Sequence, residues 1–71
     1  MNLQELSESY AHSSRLCRER AAELNRQVQD PGISETERLL MRRRICILLG
    51  MARETGGISR YLHTYYQGGT Q

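Results

Sequence analysis

The sequence predicts an all-α fold: a coiled-coil-like, antiparallel two-helix hairpin that dimerises into a four-helix bundle. Three observations lead there. Two long stretches place apolar or small residues at steps of three and four, the helical period. One short turn, Asp30-Pro31-Gly32-Ile33-Ser34, holds the only proline and separates the stretches. The second stretch carries two apolar stripes, whereas a lone hairpin gives each helix one neighbour to cover one stripe.

Seventy-one residues make one domain, residues 1–71. A globular chain of this size buries only about 60% of its unfolded surface, so it needs further support. That support comes from disulfides, a metal or oligomerisation. Two cysteines and two histidines are thin material for the first two. Oligomerisation, as a homodimer, is the expected answer.

The first helix is expected over residues 3–29. Its stripe is Leu3, Leu6, Tyr10, Ser14, Cys17, Ala21, Leu24 and Val28, with no proline or glycine inside it. Successive four-residue steps around Tyr10 form a small stutter that relaxes a supercoil locally.

The turn, residues 30–34, ends on a helix start. Ser34 and Glu37 stand three apart, the capping-box spacing. Glu35 and Glu37 also suit the positive end of the helix dipole.

The second helix is expected over residues 35–66, with a frayed tail at 67–71. Met41, Ile45, Leu48, Ala52, Thr55, Ser59, Leu62 and Tyr66 form one stripe. Leu40, Ile47, Met51, Ile58, Tyr61 and Tyr65 form the other. The first faces the partner helix. The second is left over, and an uncovered apolar stripe on a small chain marks a protein interface. These six residues are the expected dimer seam.

Gly56-Gly57 interrupts this helix with two poor helix formers, each costing about 1 kcal/mol against alanine. A kink or a break there is one outcome. Continuity is preferred, because the apolar phase passes through the glycines without a slip. Folding about residue 32 pairs positions whose numbers sum to about 63–64. Cys17 then lies level with Cys46, and Leu24 with Leu39 and Leu40. Tyr10 falls one turn from the glycines, so small residues opposite a tyrosine would let the backbones stay close.

All ten basic residues are arginine and the formal net charge is +2. A GC-rich genome explains arginine usage without function. Arg38, Arg42, Arg43 and Arg44 form the densest basic run, and as phosphate contacts they would make this a nucleic-acid-associated accessory protein. Three consecutive arginines spread round more than half the helix, however. Glu19 and Glu23 are also expected level with residues 41–44, where ion pairs would absorb charge. Protein partners are therefore favoured over nucleic acid.

Enzyme chemistry has little to stand on. Gly56-Gly57 and Gly68-Gly69 lack the strand and Gly-x-Gly frame of a phosphate loop. His12 and His63 belong to no metal-ligand pattern, and neither follows a Glu-x-x-His spacing. Cys17 and Cys46 read as reduced core cysteines, with a disulfide as the alternative. No cofactor and no metal are expected. Tyr61, Tyr65 and Tyr66 gather at the open end beside Tyr10, as interface residues rather than base-stacking ones.

The start, Met1-Asn2-Leu3-Gln4-Glu5-Leu6, has neither the basic nor the apolar region of a signal peptide. The longest apolar run, Ile45-Cys46-Ile47-Leu48-Leu49, is far too short for a membrane span. A cytoplasmic, bacterial interaction protein with no membrane contact is expected, its partner unidentified. In size and hairpin architecture the chain is similar to the short helical regulators of phosphorelay phosphatases. Those carry an S-Q-E-L-D type of signature. Here Leu3-Gln4-Glu5-Leu6-Ser7 puts Ser7 where the acid would stand, so that activity is not carried over. A toxin–antitoxin or sporulation-type regulator fits the size but has no motif here.

Overall fold

The computed structural model describes residues 2–68, and the side chains of residues 2–65. Two helices pack side by side: α1, Leu3–Val28, and α2, Glu35–Gly68. The all-α hairpin is thus present. α2 runs as one helix through Gly56 and Gly57. Gln67 and Gly68, expected in the tail, are the last residues of α2, while 69–71 lie outside the described residues.

Each helix start has a local cause. The Asn2 side chain accepts from the Glu5 backbone N–H at 2.7 Å and caps α1. Ser34 does the same for α2, accepting from the Glu37 N–H at 3.1 Å. Between them, the Asp30 carboxylate accepts from the Gly32 N–H at 2.8 Å, an Asx turn that reverses the chain.

The α1–α2 seam has two unlike halves. Near the turn it is apolar: Ala21, Leu24 and Val28 are buried, with Met41, Ile45 and Leu48 half-buried opposite. Toward the open end Leu6, Tyr10 and Leu62 are half-buried, and the fully buried positions are small or polar. Ser7 and Ser59 exchange hydrogen bonds, each hydroxyl donating to the other's carbonyl, at 2.9 and 2.8 Å. Ser14 donates to the Ala52 carbonyl at 2.7 Å. Every one of these acceptors is a helix carbonyl using its second lone pair.

These pairs correct the expected register. Ser7 opposes Ser59 and Ser14 opposes Ala52, so paired numbers add to 66 rather than 63–64. The connection carries on past the end of α1 before it turns, so the first turn of α2 overhangs. Arg38, not a residue nearer the start of α2, comes level with Val28 and donates to its carbonyl at 2.5 Å. Cys17 therefore lies level with Leu49 and not with Cys46. Both cysteines are free, Cys17 half-buried and Cys46 exposed.

The buried hydrophobic set is small: Ala21, Leu24, Val28 and Ala52. The chain measures 55 × 16 × 13 Å, with a radius of gyration of 16.2 Å. A compact chain of this length would have a radius of about 11 Å. The hairpin is a rod with little interior.

Candidate interaction surfaces

The leftover stripe of α2 is open to solvent. Leu40, Ile47, Met51, Ile58, Tyr61 and Tyr65 are all exposed, from 36% for Ile58 to 68% for Tyr61. Their steps of seven, four and three keep them on one flank of a straight helix. From Leu40 to Tyr65 that flank is about 38 Å long at 1.5 Å per residue. Tyr61 and Tyr65 pack against each other at its open end, ring centroids 6.4 Å apart. That separation lies in the favourable range for aromatic pairs. Tyr10 is half-buried in the seam, and the Tyr66 side chain lies outside the described residues.

Sequence periodicity missed one contributor. Leu16 on α1 is 50% exposed. It stands two residues, about 200°, from Arg18. Arg18 lines the hollow on the other edge of the hairpin, so Leu16 faces the stripe's side. As a single leucine outside the α1 stripe, it gave no periodic signal. Leu39 and Leu49 are also exposed but belong to other faces.

Exposed surface has a scale against which to judge it. A typical monomer of 8.2 kDa has an accessible surface of about 4,500 Å². This chain has 5447 Å². The excess of about 900 Å² is close to the ~800 Å² that each partner contributes to a standard interface.

The arginines divide by role. Arg38 is spent inside the hairpin: it donates to the Val28 carbonyl and, at 3.5 Å, to the Asp30 carbonyl. It also lies 3.8 Å from Glu35. An arginine at the Val28 carbonyl caps the C-terminus of α1 and complements its dipole. Arg42, Arg43 and Arg44 are exposed. Within the hairpin, Glu19 and Glu23 make no ion pair with them; Glu23 pairs with Arg20 on its own helix at 3.0 Å. Arg42, Arg43 and Arg44 make no ion pair among the described residues.

No protein-family model, curated protein or solved structure matches this chain. The surfaces themselves are the guide to what it does.

The hollows among the described residues are open grooves. The hollows run along the two-helix edge and hold side chains such as Arg18, Asn25 and Leu49, or Gln4, Glu8 and Thr64. Among the described residues, no three His, Cys, Asp or Glu side chains gather as metal ligands. His12 and His63 are both exposed and sit on different helices. No described helix is long and apolar enough to cross a membrane.

Proposed function

We propose that this chain is a non-enzymatic, self-associating interaction module. Two hairpins pair through the α2 stripe, Leu40, Ile47, Met51, Ile58, Tyr61 and Tyr65, and bury it in an antiparallel four-helix bundle. The observation that carries this reading is the open apolar flank on a rod with only four buried hydrophobic side chains among the described residues. Covering it supplies the interior that the hairpin alone lacks. The assembled bundle then docks a protein partner through its outer arginine and glutamate faces. Two unbridged cysteines suit a reducing cytoplasm.

Light scattering of the full chain, with and without reductant, tests it. A mass twice the 8.2 kDa chain, unchanged by reductant, is the expected result. A monomer at all concentrations up to the millimolar range rejects self-association.

The second reading is a nucleic-acid accessory protein. It is supported by Arg42, Arg43 and Arg44 standing exposed and free of ion pairs among the described residues. Duplex affinity that falls steeply with salt, and falls again on Arg42→Gln/Arg43→Gln, favours it. A duplex that does not shift even at low salt removes it.

A further inference from the structure

We propose that the hollow over Gly56 is a binding site for a phosphate group carried by a small ligand. It is formed by Arg15 and Arg18 of α1 and Arg60 of α2, over Ser14, Gly56 and Ser59, with a volume of about 320 Å³. This edge of the hairpin is distinct from the flank used for self-association. Ile58 and Arg60 are two residues apart, about 200° round the helix.

Gly56 sets the geometry. It is buried, and a Cβ there would stand 3.6 Å from Nη1 of Arg60 and 3.7 Å from Nη2 of Arg18. Two guanidinium groups from different helices thus reach one point above bare backbone. Like charges so placed repel. No carboxylate offsets them: neither Arg18 nor Arg60 makes an ion pair among the described residues. Glu8 shares the neighbouring hollow with Arg60, yet its carboxylate accepts from the Gln4 amide instead. An anion seated between the arginines removes the repulsion.

The floor selects what that anion is. The Ser14 hydroxyl proton is committed to Ala52 and the Ser59 proton to Ser7. The remaining side-chain donors are guanidinium forks, which grip phosphate oxygens in pairs. A carboxylate brings one charge and two coplanar oxygens. A phosphate brings up to two charges and three terminal oxygens in different directions, matching forks that arrive from two helices.

Titration calorimetry of the full chain with sodium pyrophosphate tests this, with succinate and matched-ionic-strength sodium chloride as controls. We expect saturable binding of one pyrophosphate per chain. Arg18→Gln/Arg60→Gln should weaken it roughly tenfold or more, and Arg42→Gln/Arg43→Gln should leave it unchanged. Circular dichroism checks that the variants stay helical. Should the double variant lose helicity, Arg15→Gln alone replaces it, with roughly threefold weakening expected. Equal binding of succinate, an effect reproduced by chloride, or full binding by the arginine variants overturns the assignment. A DNA duplex forms the last arm: a duplex that binds where pyrophosphate does not also overturns it. A monomeric chain would leave this site intact, so its outcome is separable from that of self-association.

Discussion

Gly56 and Gly57 are neighbours in sequence with opposite environments. Neither adopts a positive φ, so both take a helical backbone open to any L residue. A Cβ on Gly57 meets nothing within 4 Å, whereas one on Gly56 meets the Ser14 hydroxyl at 3.1 Å. Gly57→Ala should therefore raise stability by about 1 kcal/mol, the helix-propensity difference. For a chain of this size that is about 4–8 °C in melting temperature. Gly56→Ala should lose that gain, because Ser14 must move and its hydrogen bond to Ala52 with it. Thermal melts of the two variants side by side check the contrast; equal stabilisation by both would show that the seam is not tight at Gly56. The sequence predicts small residues here, because the folded-back pairing brings Tyr10 within a turn of the glycines. It could not show which of the two was needed, because that depends on a register set by the turn. In the observed register Tyr10 comes level with Gly56, yet the first atom that a Cβ there meets is the Ser14 hydroxyl, one turn along α1.

At the scale of the helices, periodicity located both elements to within a residue or two, and the Ser34 cap with them. Asn2 carries the same signal, standing three residues before Glu5 as Ser34 does before Glu37. The axial offset was not legible. It arises because the connection continues beyond α1 before reversing, and no local spacing encodes that. Its consequence falls on Arg38, which reads as part of a basic run but acts as a strut between the start of α2 and the last carbonyls of α1. Arg38→Ala should destabilise the hairpin by about 1.5–3 kcal/mol, the range for hydrogen bonds to a charged group. Removing Ser34's cap by Ser34→Ala should cost about 1 kcal/mol. Chemical denaturation at fixed protein concentration measures both. An Arg38 variant as stable as the parent would mean that solvent satisfies those carbonyls equally well.

For the molecule as a whole, the proposed pairing through the open flank should make stability depend on concentration. An assembly that folds and associates together melts at a temperature that rises with chain concentration. Ile47→Glu, on the middle of the exposed flank, should halve the mass and abolish that dependence. Ile47 is 56% exposed in the single hairpin and lies off the α1–α2 seam, so retained helix packing is compatible with a monomer. The exposed flank was readable from sequence as a second stripe; the arginine-lined hollow was not, because Arg15, Arg18 and Arg60 come together only through the pairing of two helices. The unlike halves of the seam carry one more consequence, for how the chain comes apart. Side chains that exclude water are concentrated beside the turn, where closing the loop also costs least entropy. Farther out, serines bridge the helices through bonds that water can replace. Opening should start at the free ends and travel inward, like a clasp whose rivet is at the bend. Amide hydrogen exchange would then read as a gradient, fastest around Ser7 and Ser59 and slowest around Leu24 and Ile45.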